Sequence, residues 1–405
     1  MKRAVLLSMS FALIATCLFV ASQADPAAGN AAPGGKSQLP GARAVIDAAQ
    51  FPTLQAALDA LPAEGGMVRL PPGTFEISRP LVCRRGDVAI VGSGTSTHIK
   101  NTNTEGQPAL VLEHPDGSKD RKNELWRVRL ADFRITGNPN SGHGIDCRRI
   151  NEVHIDGVTI SYHGGDGLRL FFCYEDPRIS DCLITYNKQT GLNLIGCHDI
   201  VVSANQFEEN HDALRCIDGF NLCMTGNCLD DHLGHGVVIE NTYGSVVSGN
   251  MIEECAGTAI VLDRDCYGNT LSANVIAHDG AGIDLRDAHG CTVSANTFTI
   301  MHAAALRIGP KSGRITVTGN NFSNSYIGDG KVRRGTKDLD AAGITLEGTS
   351  DVSISGNVFS GLRPKALIVK GQPSRRVVFT GNVLTDATGE AKKLVGSVVE
   401  GNVVE

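Results

Sequence analysis

One short motif returns about every 23 residues through most of this chain. It reads apolar-x-apolar, a small residue, Asn, then an apolar pair. Its instances are Ala204-Asn205, Gly226-Asn227, Gly249-Asn250, Ala273-Asn274, Ala295-Asn296, Gly319-Asn320, Gly356-Asn357, Gly381-Asn382 and Gly401-Asn402. Upstream, Asp132, Asp156 and Asp181 read as occupants of the same slot. A fixed period of this length means a solenoid, in which each repeat buries its core only against its neighbours. Functional residues are then to be sought where side chains stack at one slot on successive repeats. The Asn slot itself reads as structural, because Asn tolerates left-handed turns and can bond its neighbours in a ladder.

Each repeat carries a second strand of pattern Gly/Ala-h-x-h, as in Gly167-Leu168-Arg169-Leu170, Gly191-Leu192-Asn193-Leu194, Ala213-Leu214-Arg215-Cys216 and Gly236-Val237-Val238-Ile239. Alternation turns the two h residues inward and x outward. Strands this short, recurring at one phase, stack in parallel. Twelve repeats from Asp132 onward make a rod roughly 55–60 Å long at ~4.8 Å per strand. The abundance of Val, Ile, Gly, Asn and Thr agrees with an all-β class. Near the start, Leu54, Leu58 and Leu61 share one face at helical spacing, Thr53 can cap, and Pro62 stops the run. This predicts an amphipathic helix over the open end of the solenoid, where bare strand edges would invite aggregation. One interval breaks the period: Asn320 to Asn357 spans 37 residues. The added segment, 324–340, carries Lys331, Arg333, Arg334 and Lys337 and reads as a wall beside the Gly343 strand face.

Residues 1–24 read as a secretory leader, with Lys2 and Arg3 before an apolar stretch and Ser22-Gln23-Ala24 before the expected cut. An exported protein, at the cell surface, in the periplasm or secreted, is therefore expected. Residues 25–43, rich in Ala, Gly and Pro, read as a linker. The expected domain is 44–405, with the cap and first rungs in 44–100. Removing Lys2 and Arg3 takes the formal charge from −6 to −8, which argues against a nucleic-acid partner. No second apolar run of spanning length follows the leader, so no membrane partner is expected after its removal, and the chain is expected to act as a monomer. Eleven cysteines remain after the leader. Cys147 and Cys216 fall at inward strand positions, Cys173, Cys197, Cys266 and Cys291 lie just past a strand, and Cys182 and Cys228 follow the Asp/Asn slot. All read as small apolar residues in interior stacks.

The pattern closely resembles the right-handed parallel β-helix of the pectin-lyase-like superfamily. Asp47–Leu58 followed by Leu70-Pro71-Pro72-Gly73-Thr74-Phe75 is similar to the start of many members, and the resemblance covers about 44–405. It implies a single-stranded right-handed parallel β-helix of about 12 or more rungs with an N-terminal amphipathic capping helix. The chemistry of that fold varies widely. Polygalacturonase-like hydrolases match at Gly234-His235-Gly236 and Asp212, but His211, Lys188-Gln189-Thr190 and Val261 depart from them. Alginate C5-epimerase-like proteins are similar at Asn210-His211-Asp212, His235-Gly236 and Val261-Leu262-Asp263-Arg264, and differ at Glu209-Asn210.

Read without any resemblance, the residue just before each Gly/Ala-h-x-h strand runs His143, Asp166, Thr190, Asp212, His235, Thr258, and then Ala281, Ala304, Ala342 and Lys365. The outward x position adds Asp146, Arg169, Asn193 and Arg215, then Val238 and Val261. Rung spacing puts Asp212 ~5 Å from His235, with Arg215 on the same strand face. Such a set suits proton abstraction α to a carboxylate on an acidic sugar. Arg169 or Arg215 holds the carboxylate, His211 or His235 takes the proton, and Asp212 orients a histidine. Catalysis is thus expected of His211, Asp212, His235 and Arg215. Substrate contacts are expected of Asp166, Arg169, His143, Asn193, Tyr162 and Tyr186, the two tyrosines lying one repeat apart. His143 taken alone reads as a solvated turn residue. Two alternatives stay open: an inverting hydrolase using Asp166 and Asp212, ~9.6 Å apart over two rungs, and a non-catalytic β-helix whose polar ladder contacts glycan. No cofactor is assigned. Asp263, Asp265, Arg286 and Asp287 read as solvated turn charges, and the plentiful oxygen ligands leave Ca²⁺ open.

Overall fold

A computed structural model describes residues 39–323 and 342–405, save for positions 118, 121, 363, 364 and 391. The expected leader, most of the expected linker and the 324–340 insertion lie outside the described residues. From Arg43 to Glu405 the chain forms one unit. It winds through three parallel sheets of 12, 18 and 14 strands. One circuit shows the order: Leu192–Ile195 in the 12-stranded sheet, Val201–Ser203 in the 18-stranded sheet, Gln206–Glu208 in the 14-stranded sheet, then Leu214–Ile217 back in the first. Leu192 pairs with Leu214, and Leu214 with Val237, so inward side chains stack on their own kind from rung to rung. The result is a parallel β-solenoid with a continuous apolar interior.

The Asn slot is the main polar seam of that interior. From Asn205 to Asn402 each side-chain nitrogen donates to the next asparagine's Oδ1 at 2.9–3.0 Å. The same oxygen accepts the backbone N–H of the asparagine before it, as from Asn274 to Asn296 at 3.0 Å. The second amide hydrogen goes to a carbonyl of the preceding rung, Val247 in the case of Asn274. Every polar atom of a buried asparagine is thereby satisfied, which is the condition for burying it. The left-handed backbone falls on the small residue before each Asn, such as Ala204, Gly226 and Ala273, and not on the Asn itself. This corrects one expectation. A second correction concerns the upstream repeats. Asp132 and Asp181 occupy the left-handed position, and Asp156 pairs with Ser180 in a strand. The inward slot there holds Phe133, Val158 and Cys182, all buried, and Cys182 offers its N–H to Asn205 Oδ1 at 3.0 Å. Cys228 by contrast faces outward in register with Gln206 and Met251. Nine cysteines are buried, and burial lifts the thiols of Cys182, Cys216 and Cys266 to about 12.

A short helix, Leu54–Asp59, starts on Thr53, whose hydroxyl accepts the Ala56 N–H, and buries Leu54, Ala57 and Leu58. Its Gln55 side chain accepts from Val82 N at 2.8 Å and donates to Val82 O at 3.0 Å. Val82 lies on the terminal strand of the 12-stranded sheet, so the amide stands in for a missing neighbour strand.

A second buried polar column lines the turns that lead into the 12-stranded sheet. His163 N–H donates to Asn187 Oδ1 at 3.1 Å, Asn187 Nδ2 to Asn210 Oδ1 at 2.8 Å, and Cys255 N–H to Asp279 Oδ1 at 2.9 Å. Asp279 Oδ2 is buried with no partner among the described residues. Burial raises the Asp279 carboxyl from 3.8 to about 8.

Two predictions follow from these columns. Asn320 and Asn321 are adjacent, but only Asn320 is in the seam. Asn320→Ala strands the Asn296 donors and the Val293 carbonyl and is expected to cost roughly 2–4 kcal/mol. Asn321→Ala, on the exposed side, is expected to change stability by under about 0.5 kcal/mol. Equal shifts in urea midpoint would contradict the seam's role. For Asp279, the unfolded chain loses its proton near 3.8 while the folded chain keeps it to about 8. In that window the folded state binds more protons, so this residue's contribution to stability falls as pH rises. The stability of Asp279→Asn relative to the native chain should therefore increase from pH 4 to pH 8. A gap that stays constant with pH would refute the assignment.

Candidate active site

The turn residues just before the 12-stranded sheet form a ladder of their own. His143 Nδ1 accepts the Asp166 N–H at 3.0 Å, and Asp166 Oδ1 accepts the Thr190 N–H at 3.0 Å. Two rungs on, Asp212 Oδ1 accepts the His235 N–H at 2.7 Å, and His235 Nδ1 accepts the Thr258 N–H at 2.9 Å. These amides sit where the chain turns into a strand, and the side chain one rung back satisfies them. A backbone N–H can only donate. Nδ1 of both His143 and His235 must therefore carry the lone pair, and their neutral rings carry hydrogen on Nε2. Burial holds both rings below the ordinary histidine range, opposed by Asp166 and Asp212 respectively. Each is thus fixed as a neutral Nε2–H donor.

His211 is arranged the other way. Its Nδ1 lies 3.2 Å from Asp212 Oδ1, and its side chain is 60% exposed while that of Asp212 is 6% exposed. The buried carboxylate takes the Nδ1 hydrogen, which leaves Nε2 as the basic nitrogen. A groove of about 390 Å³ opens here, bordered by Asp166, Thr190, Asn193, His211, Asp212 and Arg215, with Lys188, Gln189 and Ile217 completing the wall. Asn193 and Arg215 are register partners on adjacent strands. Asn193 donates to Asp166 Oδ2 at 3.0 Å, while its Oδ1 is buried without a partner among the described residues. Arg215 Nε is likewise buried and unpartnered there, and its Nη2 stands 3.6 Å from Glu240, too far for a hydrogen bond. The groove therefore combines one base, one orienting carboxylate and two cations, Lys188 and Arg215. A larger cleft of about 710 Å³ lies beside the N-terminal helix, but it is lined by no histidine and its carboxylates, Asp59 and Glu76, are exposed.

The expected set divides on this geometry. His211, Asp212, Arg215, Asp166 and Asn193 come together in the groove. His235 supports it through Asp212. Arg169 does not reach out for a substrate: its Nε and Nη2 lie 2.9 and 3.2 Å from the two oxygens of Asp146, a fully buried carboxylate that also holds Arg148 at 2.6 Å. Of the two arginines considered for the substrate carboxylate, Arg215 is the one left uncommitted. His143 lies 3.3 Å from Asp166 and outside the groove wall. Tyr162 and Tyr186 stack at 5.0 Å with ring planes 5° apart, on a turn that does not line the groove. The charges of Glu208 and Glu209 push the Tyr186 phenol above its usual range, which makes it a poor proton source. Lys188 and Gln189 are additions that stacking at a single slot could not reveal, because they belong to the turn and precede that slot.

Among the described residues, three groups bring metal-ligating atoms within 4.8 Å of one another: Glu253, Glu254 and His278; Asp265, Asp287 and His289; and Asp230, Asp231 and Glu254. None of these residues lines the groove.

The architecture can now be set beside known proteins. A family model described as a right-handed β-helix region matches residues 88–243, 143–298, 211–322 and 235–404. No curated protein sequence matches the chain. Among solved structures, the A-module of the mannuronan C-5 epimerase AlgE6 from Azotobacter vinelandii is 17% identical, with 89% of this chain and 99% of that one covered and a TM-score of 0.53. The Agl-KA catalytic domain is 15% identical over 89% of this chain and 70% of its own, with a TM-score of 0.54. Tailspike protein 3 of bacteriophage CBA120 is 12% identical over 81% and 60%, also at 0.54. At such identities the likeness is one of fold, and together with the matched model it establishes that the chain belongs to the family of right-handed parallel β-helix proteins.

Proposed function

We propose that this protein is an exported enzyme that acts on acidic, uronate-containing polysaccharide by removing the proton at C5, as a lyase or an epimerase. The observation that carries the reading is the His211–Asp212 pair at 3.2 Å in one groove with the uncommitted Arg215. A C5 hydrogen lies α to the C6 carboxylate, and its removal pushes an electron pair onto that carboxylate. Arg215 and Lys188 stabilise the charge as it builds, which is where fixed cations lower a barrier most. His211 Nε2 receives the proton, and Asp212 fixes the ring and stabilises its imidazolium form. His235 secures Asp212 through its backbone N–H. In a lyase the electron pair then forms the C4–C5 double bond as the C4–O bond breaks and the leaving oxygen takes the proton held by His211. In an epimerase a proton from solvent returns to C5 from the opposite face and His211 gives its proton up to solvent. The AlgE6 A-module, named as a mannuronan C-5 epimerase, agrees with this chemistry, although the likeness to it is one of fold.

An inverting hydrolase would use Asp166 and Asp212, which share the groove. That mechanism needs one carboxyl to carry a hydrogen, and Asp166 already uses both oxygens as acceptors, Oδ1 from the Thr190 N–H and Oδ2 from the Asn193 amide. Export rests on the leader read in residues 1–24, and detection of the mature protein outside the cytoplasm tests it.

The chemical reading is tested on a polyuronate panel, with and without Ca²⁺, by near-ultraviolet absorbance of unsaturated ends and ring-proton spectra. His211→Ala, at an exposed side chain, should lower kcat about 10²–10⁴-fold. Arg215→Ala should lower kcat and raise KM together. Asp166→Asn should be much milder than either. New reducing ends without unsaturation, abolished by Asp166→Asn, would instead support hydrolysis. No turnover of any polyuronate at several pH values would leave a glycan-binding β-helix.

A further inference from the structure

At the ends of the strands opposite to the ladder of acids and bases, one surface column carries an aromatic ring on six successive rungs. Its members are Tyr174, His198, Phe220, Tyr243, Tyr267 and His289. His198, Phe220, Tyr243 and Tyr267 are consecutive register partners, and Tyr267 pairs with His289. Ring centroids are 4.6 Å apart for Tyr174 and His198, 4.7 Å for His198 and Phe220, and 5.5 Å for Phe220 and Tyr243. Phe172, 6.2 Å from Tyr174, extends the run beside Gly196, where an added Cβ would sit 2.7 Å from the ring. Phe220 and Tyr267 keep 41% and 52% of their surface exposed. An aromatic strip of this length at the surface of a solenoid is unusual enough to signal a partner.

The flanks indicate what kind. Asn241 donates to Asp218 at 2.9 Å and receives the Tyr243 hydroxyl at 3.1 Å, while Asn221 donates to Asp199 at 2.8 Å. These short amide and carboxylate groups offer both donors and acceptors beside the rings. Of the guanidinium groups on this edge, Arg264 is held by Glu240 at 3.1 Å and Asp218 at 3.3 Å, and Arg149 lies over the Phe172 ring at 5.5 Å. The fixed charge left beside the rings, on Asp199 and Asp218, is negative and repels an anionic polymer. A pyranose has weakly positive C–H faces that pack on the negative face of an aromatic ring, and a rim of hydroxyls for Asp and Asn. Its length along a chain is comparable to the ~4.8 Å rung height, so successive sugars meet successive rings. We propose that this ladder is a second carbohydrate-binding surface, which takes a neutral, unbranched glycan laid along the solenoid axis. The proposal does not depend on the chemistry assigned to the groove.

The test is affinity electrophoresis of the whole protein through gels containing a mixed-linkage β-glucan, a glucomannan or an α-1,4-glucan. A gel of polyalginate and a ligand-free gel serve as comparisons. The native chain should be retarded by at least one neutral polymer. Phe220→Ala with Tyr267→Ala, both at exposed side chains, should weaken that binding at least tenfold. Tyr267→Phe should keep it, and His211→Ala in the groove should leave it unchanged. Free migration of the native chain in all three neutral gels would overturn the proposal, as would retardation that survives the double substitution. Polyalginate binding lost in the double variant would overturn the neutral selectivity. A concentration-dependent dimer on gel filtration that only the double variant loses would assign the ladder to self-association instead.

Discussion

The solenoid depends on one interaction made over and over: a side chain on one rung accepts a backbone N–H from an adjacent rung, at a corner where no strand can. A parallel sheet satisfies amides only where strands face one another, and every turn between sheets leaves some over. At the corner leading into the 14-stranded sheet, asparagine meets that need from Asn205 to Asn402. At the corner leading into the 12-stranded sheet, His143, Asp166, Asp212 and His235 meet it with imidazole and carboxylate. The second corner is therefore both scaffold and site. The bond that holds the fold there also decides which nitrogen of each imidazole carries hydrogen, and so separates the donors His143 and His235 from the base His211.

The electrostatics of the outward face follow the same logic of pairing and exemption. Asp146 is buried and binds Arg148 and Arg169 together, and Asp284 similarly holds Arg286 and Arg307 at 2.8 and 2.9 Å. These clusters bracket the stretch in which Arg215 stands with little to bind. A buried charge that is already paired contributes little to a ligand, whereas a half-buried cation with no hydrogen-bonded carboxylate, its Glu240 neighbour being 3.6 Å away, favours an incoming carboxylate. Arg215 and Lys188 stand opposite Asp166 and Asp212 in the groove wall, whereas carboxylates predominate beside the aromatic ladder.

Much of this was legible in the residues. The period, the inward and outward alternation and the structural Asn slot are direct consequences of repetition, and so is the alignment of His211, Asp212 and His235. What repetition could not convey was which atom bonds which. The Asp146–Arg169 pairing joins adjacent rungs and is invisible along one strand, so Arg169 and Arg215 looked equivalent. Asp132 and Asp181 lie one residue before the inward slot and Asp156 two before it, and without the register a shift of one residue, enough to turn a side chain from inside to outside, does not show in the repeat. The aromatic column escaped notice for a related reason. Its members follow the buried positions of Cys173, Cys197, Thr242 and Cys266, but they change identity among Tyr, His and Phe. A search for one recurring letter passes over them, whereas a search for one recurring property at the residue after those positions would have found them.

The central claim is that His211 removes a C5 proton within the groove. It is tested most directly by incubating the protein with polyuronate in D₂O and following the C5 position by NMR. Solvent deuterium should appear at C5, or C5 hydrogen should be lost to a C4–C5 double bond, with the native chain but not with His211→Ala. Chain cleavage that leaves the C5 hydrogen untouched would contradict the account.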